Sequence, residues 1–152
     1  MSTIGKRTIF VGPADGPNHK PLHVEGLKTG AGVVAPGTVV RYTVGTLTQN
    51  VIAAAVDSQF FVADRNFLLQ KDVDTVWPLE NMVAIQPRTG EFLNVRVVTG
   101  QALVIGTPLT RDGAGSLRIA LTDGTEQIHA YSEEAVTTAT AAPGELVLVR
   151  IP

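Results

Sequence analysis

Residues 92–121 read FLNVRVVTGQALVIGTPLTRDGAGSLRIAL, and this stretch decides the fold. In its first segment, from Leu93 to Val97, apolar residues alternate with the polar residues Asn94 and Arg96. A period of two is typical of a β-strand with one buried face. We therefore predict a half-buried strand whose apolar side chains point into a core.

The second half of the stretch predicts a β-hairpin. Residues 107–111 and 116–121 flank the turn Asp112-Gly113-Ala114-Gly115, whose glycines can adopt the positive φ that a hairpin turn requires. The apolar residues of the second strand fall on one face: Leu117, Ile119 and Leu121. The tip carries no residue typical of catalysis, so we interpret this hairpin as scaffold.

Other short runs of apolar or β-branched residues, bounded by turn residues, predict further strands. They are residues 8–11, 22–24, 38–42, 51–56, 60–64, 82–85, 127–132, 135–140 and 145–151. Residues 45–50 are predicted to form a polar loop, and residues 65–80 have no clean period, so helix and loop both remain open there. The pattern favours an all-β fold, a Greek-key β-sandwich or small β-barrel of roughly eight to ten strands.

Length and composition limit the classes of protein. The chain has 152 residues, 44% hydrophobic residues, no cysteine and a formal net charge of −2. We expect one soluble domain without disulfides, and neither nucleic acid nor a membrane as partner. The first twelve residues lack the apolar run of a signal peptide, so we expect synthesis in a cytoplasm.

Residues 1–32 differ from the rest and are predicted to be an extended N-terminal arm, followed by a β domain at 33–152. Glycine and proline interrupt every regular pattern in the arm, and four basic residues there face two acidic ones. Isolated apolar residues such as Ile9, Phe10 and Leu22 cannot form a core by themselves. The arm is either a floppy terminus or a segment that orders on a partner by strand addition.

The histidines do not indicate a catalytic or metal site. His19 and His23 are four residues apart, but Pro21 between them makes a shared helical face improbable. His129 alternates with the apolar residues of its predicted strand and is interpreted as a surface imidazole.

Acidic and aromatic residues also give no catalytic pattern. The spacing of Asp57, Asp64, Asp72 and Asp74 fits neither a calcium loop nor a pair of catalytic carboxylates, so we interpret them as solvated turn residues. Trp77 is predicted to fill the core or an interface. The sequence contains no phosphate-binding loop, nucleophile elbow or zinc motif, and we predict no catalytic residue, cofactor or metal.

Five groups of strand and turn residues follow one another between about Gly32 and Ile151. They are Val34–Val40 (VAPGTVV), Phe61–Asp64 (FVAD), Val83–Ile85 with Arg88–Val97 (VAI, RTGEFLNVRV), Gly106–Leu109 with Asp112–Leu117 (GTPL, DGAGSL), and Ile128–Ala130 with Leu146–Ile151 (IHA, LVLVRI). In this order they resemble the head decoration, or cement, proteins of tailed bacteriophages.

The resemblance implies a structural protein and not an enzyme. Members of that family are small β-rich proteins that bind the outside of the expanded capsid, commonly as dimers or trimers, and reinforce it. For this chain it implies the major capsid protein as partner, a homo-oligomer, and a location on the outer capsid surface of a virion assembled in the host cytoplasm. The composition of the arm singles out Ile9, Phe10, Val11 and Leu22 as the candidate capsid contacts.

Two other functions remain open. A phage receptor-binding or glycan-binding β module should show an exposed cluster of aromatic residues or a calcium site. A carrier domain of the biotinyl or lipoyl kind needs a lysine at a hairpin tip, and residues 112–115 contain none.

Overall fold

Thirteen β-strands and no helix occur in the part of the chain that the structure describes. The structure is a computed structural model, and it describes residues 6–12, 20–29, 34–43, 45–49 and 59–152. In chain order the strands are β1 (Phe10–Gly12), β2 (Leu22–Lys28), β3 (Val39–Thr43), β4 (Thr46–Gln49), β5 (Phe61–Ala63), β6 (Asn81–Gln86), β7 (Phe92–Val97), β8 (Ala102–Leu103), β9 (Pro108–Arg111), β10 (Leu117–Ile119), β11 (Ala130–Ser132), β12 (Val136–Thr137) and β13 (Glu145–Arg150). The predicted all-β fold is confirmed, and these ranges hold no helix that could span a membrane.

Strands β2 to β6 close into a barrel in the order β2-β4-β3-β5-β6, here called the amino-terminal barrel. β2 pairs antiparallel with β6 from Leu22 opposite Gln86 to Leu27 opposite Asn81, and its last two residues pair in parallel with β4. The barrel encloses its own apolar cluster: Val34, Val40, Leu47, Ala63, Trp77, Met82 and Ala84.

The remaining long strands form the carboxy-terminal sheet, in the order β1-β7-β10-β9-β11-β13. Because β13 also pairs with β7, from Glu145 opposite Val97 to Arg150 opposite Phe92, this sheet closes on itself. The predicted hairpin is present, since β9 and β10 pair antiparallel around the 112–115 turn. β10 ends at Ile119, however, so the predicted third apolar residue of its face, Leu121, is exposed.

Both faces of β7 are buried, so the prediction of a half-buried strand is wrong. The three alternating apolar residues from Leu93 to Val97 lie in the core as predicted, but Asn94 and Arg96 on the opposite face are buried as well. The turn that leads into β3 of the amino-terminal barrel approaches that face: the Arg96 side-chain Nε–H donates to the Pro36 carbonyl at 2.9 Å. Alternation identified the two faces of the strand but not what covers the second one.

The two sheets share one core. Val39, Val62 and Ile85 of the amino-terminal barrel belong to the same apolar cluster as Leu93 and Val95 of β7. Shared burial of this kind makes the two closed sheets one packing unit, because separating them would expose apolar side chains from both.

Two parts of the predicted arm are strands of these sheets. Residues 10–12 form β1, which pairs with β7, and residues 22–28 form β2 of the barrel. In these two ranges the segment belongs to the domain, because partners more than fifty residues away in sequence supply the pairing that local sequence lacks.

Residues 46–49 form a strand and not the predicted polar loop. β4 is mostly polar, but Leu47 is buried in the barrel, and β4 pairs with both β3 and β2. The predicted strand at residues 51–56 lies outside the described residues. Between Arg65 and Glu80 the chain forms turns and irregular structure, with neither helix nor strand.

Candidate interaction surface

A group of exposed apolar side chains lies on the segment between β5 and β6. We call it the 67–79 apolar surface. Its members and their exposed fractions are Phe67 (38%), Leu68 (75%), Leu69 (62%), Val76 (49%) and Leu79 (73%). Single exposed apolar residues are ordinary on a protein surface, but five on one short segment are typical of a contact surface.

Trp77 anchors this segment to the barrel. Its ring is buried in the barrel core, as the sequence predicted. The indole Nε1–H donates to the Asp64 carbonyl at 2.7 Å, and the Trp77 backbone N–H donates to the Val34 carbonyl at 2.8 Å. These contacts fix the backbone next to Trp77. They therefore also fix the positions of the exposed side chains of Val76 and Leu79.

Asp64 and His23 fix the beginning of the segment. Asp64 Oδ2 lies 2.8 Å from His23 Nε2, and Asp64 Oδ1 accepts the Arg65 N–H at 2.8 Å. The His23 ring stacks on Phe67, with their centroids 5.6 Å apart. The contact positions one aromatic member of the apolar surface against β2.

A buried arginine holds the middle of the segment from the other sheet. Arg96 Nη2 donates to the Val73 carbonyl at 2.7 Å, and the Val73 side chain is buried. Burial lowers the pKa of the Arg96 guanidinium, and the nearby Asp74 carboxylate, at 3.5 Å, acts in the opposite direction. The 67–79 apolar surface is therefore tied to both sheets.

Charges of both signs border this surface. Lys71, Asp72 and Glu80 are all exposed. A hollow of about 330 Å³ is lined by Leu69 and Val76 together with Lys71 and Glu80. The Thr75 hydroxyl, which donates to Asp72 Oδ1, lowers the pKa of that carboxyl. Charged side chains therefore lie next to the apolar ones on this segment.

The candidate capsid contacts differ in accessibility. Ile9 is fully buried in the shared core, which corrects the prediction that its side chain is available to a partner. Phe10 is half-buried and packs against the same core. Val11 and Leu22 are 48% and 45% exposed. Only these last two present much apolar surface.

The other candidate residues do not assemble into a catalytic or metal site. His19 and Asp57 lie outside the described residues, and Asp72 and Asp74 are exposed as predicted. Asp64 is buried and hydrogen-bonded to His23, so its interpretation as a solvated turn residue is wrong. Within the described ranges no group of three acidic or histidine side chains could hold a metal ion. His129 is buried and stacks on Phe60 at 4.9 Å, so the prediction of a surface imidazole is wrong.

A cleft of about 460 Å³ lies between the two sheets, and it bears on the glycan-binding alternative. Exposed amides at Gln86 and Gln127 line it, together with Phe60 and His129. The Phe60 ring is stacked on His129 and packed against the core, and the Gln59 amide makes two hydrogen bonds to the Tyr42 backbone. The cleft thus offers exposed amides, and the Phe60 ring within it is already engaged by His129.

Sequence reasoning did not select the 67–79 apolar surface. Its residues are apolar without a clean period, and that pattern predicts neither helix nor loop uniquely. The signal in the sequence is a group of apolar residues that fits neither a strand period nor a helix face, because such residues cannot all turn toward a core. Neither the protein-family models nor the curated proteins contain a match to this chain.

Proposed function

We propose that this protein is a structural protein that binds the outer surface of an expanded phage capsid and stabilises the head. The observation that carries the proposal is the 67–79 apolar surface, held on a fixed base by Trp77. The order of strand and turn residues that resembles phage decoration proteins supports the partner, the major capsid protein. The role requires a rigid domain with an exposed contact surface and no reaction centre.

The size of the surface favours attachment through several copies. Full burial of a large apolar side chain contributes about 1.5 to 3 kcal/mol. The five side chains are 38% to 75% exposed, so their remaining burial would contribute on the order of 5 kcal/mol. The entropy cost of association, roughly 4 to 15 kcal/mol, is of similar size or larger. One copy would therefore bind weakly, and a dimer or trimer on a symmetric shell would bind firmly.

Of the four candidate capsid contacts predicted from the sequence, Val11 and Leu22 fit this role. Both are about half exposed and both lie on strands, so their positions are fixed by the sheets. We propose them as a second and weaker contact with the capsid, separate from the 67–79 apolar surface.

Co-sedimentation tests the proposal. The purified protein is mixed with expanded, undecorated heads of the phage that encodes it, and separately with unexpanded procapsids. We expect saturable binding to expanded heads alone. Failure of the folded protein to bind either particle would contradict the proposal and favour a receptor-binding or glycan-binding module.

A matched pair of variants tests the surface itself. The double variant Leu68→Ser with Leu79→Ser removes two side chains that are 75% and 73% exposed, so folding should be unaffected. We expect binding to heads to weaken about tenfold or more. The control, Val104→Ser with Ile105→Ser, changes a pair that is 64% and 68% exposed between β8 and β9, and should bind normally. Equal effects in both variants would exclude the 67–79 surface as the contact.

A further inference from the structure

A separate pocket of about 430 Å³ lies at one end of the carboxy-terminal sheet. Three loops meet there: the turn after β7, the β9–β10 hairpin and the loop before β13. Its lining is mostly apolar and made of small residues: Val98, Thr99, Asp112, Ala114, Ser116, Ala142, Pro143 and Gly144. Its volume is within the range of pockets that bind small molecules or single side chains.

Hydrogen bonds between the loops hold the pocket open in a fixed shape. The Ser116 hydroxyl donates to the Pro143 carbonyl at 2.9 Å and joins the hairpin to the loop before β13. Arg96 Nη1 donates to the Gly144 carbonyl at 3.0 Å from below. A preformed pocket binds without first ordering its walls, which favours affinity.

Asp112 gives the pocket its charge. It is the one ionisable side chain among the eight lining residues, all of which are described. Its Oδ1 accepts the N–H groups of Ala114 at 2.7 Å and Ser116 at 3.1 Å, which fixes the carboxylate at the wall. Arg118 is close enough to act on Asp112 electrostatically, but its guanidinium is paired with Glu126.

We propose that this pocket binds the side chain of a lysine or arginine presented by a protein partner. The apolar lining matches the aliphatic stem of such a side chain, and Asp112 matches its terminal cation. One carboxylate matches one charge, whereas a polyamine carries several charges that would need several carboxylates. Thr99, Ala114 and Ala142 at the rim are exposed, so a side chain can enter from outside. This site does not depend on capsid binding.

Titration of the full chain, followed by NMR of the backbone amides, tests the site. The probes are N-acetyl-arginine amide, its uncharged isostere N-acetyl-citrulline amide, and spermidine. We expect the arginine probe to shift the amides of Val98, Ala114 and Gly144, and to bind roughly two- to fivefold more tightly than the citrulline probe, the usual effect of a partly exposed ion pair. Equal affinity for these two probes, or tighter binding of spermidine at the same amides, would overturn the proposal.

Two variants separate charge from shape. Asp112→Asn keeps an oxygen acceptor for the two turn N–H groups but removes the charge, so the preference for arginine over citrulline should disappear. Ala142→Leu fills the pocket and should abolish binding of both probes. The control is Asp123→Asn, which changes another turn carboxylate, one that accepts the Thr125 N–H at 3.0 Å and does not line the pocket. An unchanged preference in Asp112→Asn, or its loss in the control, would refute the assignment.

Discussion

Arg96 joins the two sheets, and its replacement gives the most informative stability test. Its guanidinium donates to three backbone carbonyls: Pro36 at 2.9 Å, Gly144 at 3.0 Å and Val73 at 2.7 Å. Arg96→Met keeps most of the apolar stem but leaves these three carbonyls without their donors. A hydrogen bond from a charged group contributes roughly 1.5 to 3 kcal/mol.

Removal of a buried charge offsets part of that loss. Burial opposes the charged form of Arg96, as the direction of its pKa shows, so a neutral side chain recovers some desolvation free energy. We therefore expect Arg96→Met to lower the free energy of unfolding by about 3 kcal/mol, a large part of the roughly 5 to 15 kcal/mol of an ordinary domain. Arg96→Lys should lose nearly as much, because a single ammonium cannot reach three separate carbonyls.

Urea unfolding measures this loss. The chain has a single tryptophan, and since Trp77 is buried in the amino-terminal barrel its fluorescence reports on that barrel. Far-UV circular dichroism reports on both sheets. The control is Arg150→Met, whose side chain is 42% exposed, pairs with Glu133 at 2.9 Å and lies over the Tyr131 ring, and it should cost about 1 kcal/mol. If Arg96→Met stayed within about 1 kcal/mol of the wild type, or matched the control, the reasoning would be refuted.

Two further predictions concern a turn and the partly buried ion pair between Arg118 and Glu126. Gly144→Ala should destabilise by about 2 to 4 kcal/mol in urea unfolding, since a Cβ there would lie 2.5 Å from the Val97 carbonyl oxygen, whereas Gly90→Ala, also at positive φ but in open space, should cost about 1 kcal/mol. Equal losses of stability in the two variants would show that the positive φ alone, and not the contact with Val97, determines the cost. The hydrogen bond from Arg118 lowers the pKa of Glu126 in the folded protein. The ion pair therefore adds to the free energy of unfolding above the unfolded-state pKa of about 4.3, and this contribution is lost as the pH falls. Glu126→Gln should therefore cost up to about 1 kcal/mol at pH 7, and the cost should shrink as the pH falls below about 4.3; a difference independent of pH would exclude this ion pair as the cause.

The sequence predicted the parts of the fold that carry a local signal. The alternation through β7 and the glycine turn between β9 and β10 are such signals, and both elements are present. The polar strand β4 has no apolar period. Its position is set by pairing with β2 and β3, and of residues 46–48 only Leu47 is buried. His129 was misplaced for a related reason: the residue that covers it, Phe60, is distant in sequence.

The candidate site was harder to predict than the fold. The exposure of Leu68 and Leu79 follows from the anchoring of Trp77 on Asp64 and Val34, and those contacts join three separate segments. The pocket at Asp112 likewise depends on three loops that meet only when the sheet closes. Periodicity describes one segment at a time, so a site assembled from several segments leaves no pattern in it.

The pairing of β1 with β7 has a consequence for synthesis of the protein on the ribosome. Phe10 lies opposite Leu93. At roughly 5 to 20 residues per second, the ribosome needs on the order of 4 to 17 s to make the chain between them. During that time Ile9, which is buried in the folded protein, has no core to enter. Chaperone capture of nascent chains should therefore be strongest before β7 emerges.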